Sequence, residues 1–141
     1  MKFWDSSAVV PLILVERHRD DLLSLLERDP VMLAWWGTRG ECTAAVARRE
    51  REGALTAKQV GTALARLRAL AAEWQEILPG DSVRTTAERL LRVHPVRSAD
   101  SLQLAAAIVA AEDERVALEF VSLDARLSEA ANREGFPVHA L

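Results

Sequence analysis

The chain has 141 residues, of which 50% are hydrophobic and 28% are charged, and its formal net charge is −3. This composition excludes a disordered or low-complexity chain, and the net charge excludes a protein that coats nucleic acid by bulk attraction. One cysteine and three scattered histidines exclude a disulfide framework and a zinc cluster. The length suits one domain, and no repeat or linker interrupts it, so we expect a single domain over 1–141.

The first part of the chain alternates strand and helix patterns. In chain order, the predicted elements are a strand over 2–5, a helix from 6, a helix over 17–29, a strand over 31–35 and a helix over 37–52. Pro30 ends the second helix, and Gly53 is placed to stop the third. The apolar run 31–35 is typical of a strand that is buried on both faces.

The second part continues the alternation. Thr56 and Gln59 form a capping-box pattern at the start of a long helix. Next come a weak strand over 76–78, a helix capped by Asp81 and a very apolar helix over 102–111 that Ser98 caps. The last elements are a strand over 119–123, a helix over 124–134 and a short strand over 137–141. The helix over 102–111 is polar only at Gln103, which predicts a central, buried position.

Strands that alternate with helices imply a parallel sheet with helices on both faces. The fold class is therefore α/β. The pattern does not encode the order of the strands in the sheet.

Four acids fall where such a sheet gathers its functional groups, outside the carboxyl ends of the strands. Asp5 ends the first strand, Glu41 lies in the opening turns of the helix after the second strand, Asp100 lies in the first turn of the apolar helix and Asp124 ends a later strand. A cluster of carboxylates suits Mg²⁺ or Mn²⁺ and would repel itself without a cation. This set favours metal-assisted hydrolysis of phosphodiester bonds.

Each acid also has a simpler explanation. Asp5, Asp100 and Asp124 could cap helix N-termini or complement their dipoles, and Glu41 could be a solvated helix residue. Motifs for competing chemistry are missing, since the sequence contains no phosphate-binding loop, no dinucleotide fingerprint and no nucleophile elbow.

The segments around these acids carry a family resemblance. They are Asp5-Ser6-Ser7-Ala8 after the first strand, Glu41 near the start of the third helix, Arg97-Ser98-Ala99-Asp100-Ser101-Leu102 before the apolar helix, and Phe120-Val121-Ser122-Leu123-Asp124. Their order and spacing resemble those of PIN domains, and the length matches the VapC-type toxin ribonucleases of bacterial toxin–antitoxin pairs. The resemblance covers essentially the whole chain.

The resemblance implies a PIN-like three-layer α/β/α sandwich with a central parallel sheet and an acidic Mg²⁺ or Mn²⁺ pocket. Asp5 and Asp100 would be the main metal ligands. Asp124 would complete the metal site and Glu41 would complete the catalytic set, in each case partly through bound water. Both residues would help to position or deprotonate the attacking water. Ser6 stands where the family often has a small hydroxyl residue, although it could be a plain helix-start serine.

The resemblance also implies an RNA substrate, a homodimer and a small antitoxin that covers the active-site groove. Arg97 and Arg126 stand beside pocket acids and could bind phosphates, or could instead form surface ion pairs. The Trp35-Trp36 pair could stack on bases or serve packing. We expect part of the apolar faces around 22–26 and 60–70 to bind the antitoxin or bury a dimer contact, with ordinary core packing as the alternative.

Two other classes of function fit the same residues. A PIN-like module could bind RNA or protein without catalysis, and Asp5 could be the nucleophile of a phosphotransfer domain. Haloacid-dehalogenase-like phosphatases need a second acid where Ser7 stands, and receiver-like domains need a lysine near the pocket, where neither Lys2 nor Lys58 is well placed. With no apolar run near the roughly 18 residues of a membrane span, and an acid too early for a signal peptide, we expect a cytoplasmic protein that does not contact membranes.

Overall fold

A computed structural model describes residues 1–114 and 117–141, with only the backbone described at 113 and 114. The elements are β1 (Lys2–Trp4), α1 (Ser6–Ile13), α2 (Arg19–Arg28), β2 (Met32–Trp35), α3 (Thr38–Arg51), α4 (Ala57–Glu73), β3 (Gln75–Ile77), α5 (Asp81–Val93), α6 (Ser98–Glu114), β4 (Glu119–Val121) and α7 (Ala125–Arg133). The predicted alternation of strands and helices is confirmed.

The four strands form one sheet in the order β3-β2-β1-β4, and every pair is parallel. Phe3 is paired with Leu33 on one side and with Phe120 on the other, so β1 is central. Since all strands point the same way, their carboxyl ends meet at one edge of the sheet. The α/β class with a central parallel sheet is confirmed.

Helices cover both faces of this sheet. Side chains alternate along β1, so Phe3 packs on one side with α5, α6 and α7, whereas Trp4 packs on the other with α1, α2, α3 and α4. Helix α6 contributes the buried side chains Leu104, Ala105, Ala106, Ala107 and Ala110 to the first core. The predicted central position of this apolar helix is confirmed, and the result is a three-layer α/β/α sandwich.

Several local predictions are also confirmed. Thr56 Oγ1 accepts from the backbone amide of Gln59, and the Gln59 side chain accepts from the amide of Thr56, which completes the capping box at α4. Gly53 follows the last turn of α3 with φ 75°, a conformation that favours glycine. None of the helices in the described ranges is long and apolar enough to cross a membrane.

Three boundary predictions are wrong. Asp81 and Ser98 are the first residues of α5 and α6 and do not stand at the cap positions before them. Gly80 precedes α5 and Asp81 pairs with Arg84 one turn on. In α6 the Arg97 carbonyl accepts the first helical hydrogen bond, from the Ser101 amide at 2.9 Å.

The third wrong prediction is the strand over 137–141, which is a single parallel bridge between Phe120 and Val138. Its two hydrogen bonds run from Phe120 N to Pro137 O at 2.8 Å and from His139 N to Phe120 O at 3.0 Å. Pairing stops there because β4 itself is only three residues long and Pro137 has no amide hydrogen to donate.

Candidate active site

The carboxyl edge of the sheet brings the predicted acids together. Asp5, Glu41, Asp100 and Asp124 all line one pocket of about 670 Å³. Asp5 directly follows β1, and its backbone amide donates to the Val121 carbonyl at 3.0 Å, which fixes it beside the end of β4. The acids therefore come from four different elements that converge because the strands are parallel.

Asp5 is the most tightly held of the four. Only 2% of it is exposed. Its Oδ2 accepts hydrogen bonds from the Ser7 hydroxyl, from the Ser7 amide at 3.3 Å and from the Ser122 hydroxyl at 2.8 Å. Its Oδ1 has one polar contact among the described residues, Ser6 Oγ at 3.4 Å. One oxygen is thus saturated, and the other has capacity for a ligand.

The directions of the two serine hydroxyls are determined by their backbone partners. The Leu123 amide donates to Ser7 Oγ at 2.9 Å, and the Asp124 amide donates to Ser122 Oγ at 3.1 Å. Each hydroxyl has one proton, and the ionised carboxylate of Asp5 can only accept, so each proton can be donated to Asp5 Oδ2; the two hydroxyl oxygens also lie 3.2 Å apart. The serines therefore connect the Asp5 carboxylate to the loop that presents Asp124.

Helix starts also explain two of the acids. Asp5 caps α1, and Asp124 caps α7 by accepting from the Leu127 amide at 2.9 Å. The capping alternative from the sequence is therefore correct for these two residues. It does not replace the pocket, because the same carboxylates line it.

Glu41 is half-buried and accepts a hydrogen bond from helix α6. Gln103 Nε2 donates to Glu41 Oε2 at 2.6 Å and also contacts Thr38 Oγ1 at 3.0 Å. Ser6, predicted to bind substrate, lies between the acids, with its hydroxyl 3.4 Å from Asp5 Oδ1 and 3.4 Å from Glu41 Oε1. Its single proton can serve only one of them at a time.

The acids disfavour one another's ionisation. Burial raises the pKa of Glu41 to about 7, and the charges of Asp5 and Asp100 add to this effect. Burial also raises the pKa of Asp5, against the hydrogen bonds from Ser7 and Ser122, and it raises the pKa of Asp100, with a further contribution from Asp124. A cation in the pocket would relieve this repulsion.

The donor set fits a hard divalent ion. The four predicted acids, the carboxylate of Glu16 (which pairs with Arg49) and the hydroxyls of Ser6 and Ser7 line the pocket, and none of the described residues lining it is a histidine or a cysteine. Within 1–114 and 117–141, no three His, Cys, Asp or Glu side chains stand close enough together to hold an ion in their present positions.

The two predicted substrate-binding arginines lie beside the acids. Arg97 and Arg126 line an adjoining pocket of about 530 Å³ together with Glu41, Asp100 and Asp124. Neither arginine forms an ion pair with another described side chain, so the structure does not support the surface-pair alternative.

A second group of arginines, not anticipated from the sequence, lines the larger pocket at the last turns of α3. Arg49 is engaged by Glu16 at 3.1 Å and by the Ala45 carbonyl. Arg48 and Arg51 are exposed and form no ion pair in the described part of the chain. The N–H donors of these two guanidinium groups are therefore available to bind a ligand in the pocket.

The two tryptophans, for which the sequence left base stacking and packing as alternatives, have different environments. Trp35 is 7% exposed and belongs to the core, where its indole lies so close to Gly37 that a Cβ there would clash with it. Trp36 is 55% exposed. Packing is thus the role of Trp35, while Trp36 presents a free aromatic surface.

Sequence reasoning missed Ser7, Ser122 and Gln103 as site residues. The sequence contains a clue to two of them: Ser122 stands two positions before the candidate acid Asp124, and Gln103 is the one polar residue of 102–111. Their partners are 117 and 62 residues away along the chain, which no local pattern reveals.

No model of a known protein family matches this sequence, and no curated protein matches it. Solved structures do. VapC20 from Mycobacterium tuberculosis, described as a sarcin-ricin loop cleaving toxin, is 16% identical with a TM-score of 0.67 over 99% of this chain and 100% of that chain. FitAcB from Neisseria gonorrhoeae is 15% identical with a TM-score of 0.67 over 99% and 97%. The chain therefore shares the fold of these PIN-domain proteins, and its resemblance to VapC-type PIN domains is confirmed at the level of the fold.

Proposed function

We propose that this protein is a metal-dependent endoribonuclease and the toxin of a type II toxin–antitoxin pair. The observation that carries the proposal is the convergence of four carboxylates in one pocket, where each of three has a raised pKa. The shared fold with a toxin described as cleaving the sarcin-ricin loop supports an RNA substrate. Catalytic roles would fall to Asp5, Glu41, Asp100 and Asp124.

The metal site would consist of Asp5, Asp100 and Asp124, which would hold Mg²⁺ or Mn²⁺. Such an ion polarises the phosphate, lowers the pKa of bound water and neutralises charge on the leaving oxygen. The hydroxyls of Ser7 and Ser122 keep the Asp5 carboxylate in a fixed orientation, so that only Oδ1 is left to bind.

Glu41 would act on the attacking water. Its Oε1 contacts only Ser6 Oγ, at 3.4 Å, among the described residues, so this oxygen can accept the proton of a water molecule. Attack of that water on phosphorus breaks the bond to the 3′ oxygen, which leaves and takes up a proton. The products would carry a 5′-phosphate and a 3′-hydroxyl.

Arginines on both sides of the acids would bind the RNA backbone. Arg97 and Arg126 lie on one side, and Arg48 and Arg51 on the other. Guanidinium groups bind phosphate oxygens in a bidentate manner. This local arrangement supplies positive charge at the site of a protein whose net charge is −3.

A groove between α1, α2 and α4 suits the antitoxin. Its volume is about 520 Å³ and it is lined mainly by apolar side chains, among them Leu12, Leu23, Leu26, Leu70 and Trp74. An amphipathic helix of a small antitoxin would lay its apolar face here. Leu26→Glu should abolish binding of the cognate antitoxin and leave RNA cleavage intact; unchanged antitoxin binding would refute this assignment.

We also propose a homodimer. Its contact would use the exposed apolar side chains of Trp36 and Leu78, which follow neighbouring strands and lie close together because the Trp36 amide donates to the Ile77 carbonyl at 3.0 Å. Sedimentation analysis showing a monomer at high protein concentration would contradict this proposal.

Cleavage of RNA by the purified protein tests the central proposal. We expect cleavage with Mg²⁺ or Mn²⁺, none with EDTA, and none by Asp5→Asn, which keeps the side-chain volume but removes a charged oxygen. Asp20→Asn, an exposed acid on α2, is the matched control and should cleave at the wild-type rate. RNA binding without cleavage by the wild type would favour a non-catalytic PIN-like module.

A further inference from the structure

Helix α6 contains one fully buried amide. Gln103 is 0% exposed, in a stretch that is otherwise apolar from 102 to 111. Its Nε2 donates to Thr38 and to Glu41, whereas its Oε1 is buried and has no partner in the part of the chain that the structure describes. All the polar contacts of this side chain are therefore directed at α3.

These contacts connect opposite layers of the sandwich. Helix α3 packs on one face of the sheet and α6 on the other. Asp100 lies one turn before Gln103 on α6, and Glu41 lies one turn after Thr38 on α3. The Gln103 amide thus forms direct side-chain hydrogen bonds from α6, which carries Asp100, to α3, which carries Glu41.

Core packing does not account for this residue. A buried amide whose oxygen has no partner destabilises the folded state relative to an apolar side chain of the same shape. Both donated hydrogen bonds instead go to polar side chains of α3, one of them to Glu41. Since Gln103 occupies Oε2 at 2.6 Å, the carboxylate cannot rotate freely, and Oε1 is the oxygen left toward Ser6.

We propose that Gln103 is a positioning residue that holds Glu41 in its working orientation and fixes it relative to Asp100. This inference rests on the proposed nuclease function, and it adds a residue outside the acidic set. Gln103 acts through Glu41 and does not touch the RNA. Thr38 has a smaller part, since it accepts the second hydrogen bond of the same amide nitrogen.

The test compares Gln103→Met, which keeps length and removes the donor, with wild type. We expect kcat to fall about 10- to 100-fold, as for other residues that orient a catalytic group, with KM changed by less than about twofold. The melting temperature should change little, because the loss of the hydrogen bonds to Thr38 and Glu41 is offset by removal of the unpartnered buried oxygen. Thr38→Val should lower kcat by a smaller factor, and Gln75→Met, an exposed residue of β3, should have no effect.

A double-variant cycle separates positioning from a general structural role. In a Glu41→Gln background, Gln103→Met should cause no further loss of kcat, because both changes act on one unit. Additive losses, or a lower melting temperature that explains the lost activity, would overturn the inference.

A crystal structure gives a readout that is independent of activity. In Gln103→Met we expect the Glu41 carboxylate to leave the position it has in wild type, and an unmoved carboxylate would refute the positioning role. If the wild type itself does not cleave RNA, the proposed function fails, and the crystal structure still decides whether Gln103 holds Glu41.

Discussion

Asp5 shows how one side chain combines two roles. Its Oδ2 caps α1 and accepts from two serine hydroxyls, which leaves Oδ1 for the pocket. The carboxylate could be predicted from the sequence because it directly follows a strand. Its partner Ser122 could not, because the two residues are 117 positions apart and meet only when β1 pairs with β4.

Glu41 provides a prediction on pH and stability. Its pKa is raised from 4.5 to about 7 in the folded protein, first by burial and then by the charges of Asp5 and Asp100. The unfolded chain therefore loses this proton at lower pH, so the free energy of unfolding falls as the pH rises from 4.5 to about 7. In metal-free protein we expect Glu41→Gln to melt about 3–6 °C above wild type at about pH 8, and close to it at about pH 4.

Thermal melts in EDTA at the two pH values check this expectation. Glu50→Gln, an exposed acid on the same helix, controls for the loss of one negative charge and should not show the pH-dependent difference. A Glu41→Gln protein that is less stable than wild type at the higher pH would mean that the Gln103 hydrogen bond outweighs the repulsion.

The starts of the helices carry much of the site, and their sequence patterns are short. Asp124 is the cap residue before α7, as the capping alternative proposed, although the sequence pattern predicted a helix over 124–134 that already included it. Asp81 and Ser98 are also favoured capping residue types, but each is the first residue of its helix. A capping residue type alone does not distinguish the position before a helix from its first residue.

The last turns of α3 carry a prediction on RNA binding. Arg48 and Arg51 are exposed beside the acids and have no ion-pair partner in the described residues. If each contacts one phosphate of a single strand, Arg48→Gln with Arg51→Gln should weaken binding and reduce the slope of log affinity against log salt by about 1.4. Fluorescence anisotropy with a labelled RNA, in EDTA and in an Asp5→Asn background that prevents cleavage, measures both.

The control removes two arginines that are exposed but engaged elsewhere. Arg84 pairs with Asp81, and Arg133 pairs with Glu129. Arg84→Gln with Arg133→Gln makes the same change in net charge and should leave the salt slope unchanged. Equal slopes for both double variants would show that net charge, and not contact at α3, determines binding.

The whole molecule explains why the acids could be predicted as a set. Alternating strands and helices dictate a parallel sheet, and a parallel sheet gathers its carboxyl ends at one edge, so acids from four distant segments meet there. The order β3-β2-β1-β4 could not be predicted, because local patterns do not encode which strands pair. The net charge did not reveal that five arginines line the two adjoining pockets, namely Arg48, Arg49, Arg51, Arg97 and Arg126.

Metal binding should stabilise the whole fold, and Asp100 is the residue that tests this linkage. Burial and the charge of Asp124 raise the pKa of Asp100, so its ionised form is unfavourable in the metal-free protein. We expect metal-free Asp100→Asn to melt about 2–6 °C above metal-free wild type. Excess Mg²⁺ should close or reverse this difference, because the ion stabilises only the protein that binds it well.

A purely dipole-complementing role for Asp100 in the first turn of α6 predicts the opposite: a less stable variant and no Mg²⁺ response in either protein. Four thermal melts, of both proteins in EDTA and in Mg²⁺, distinguish the two outcomes.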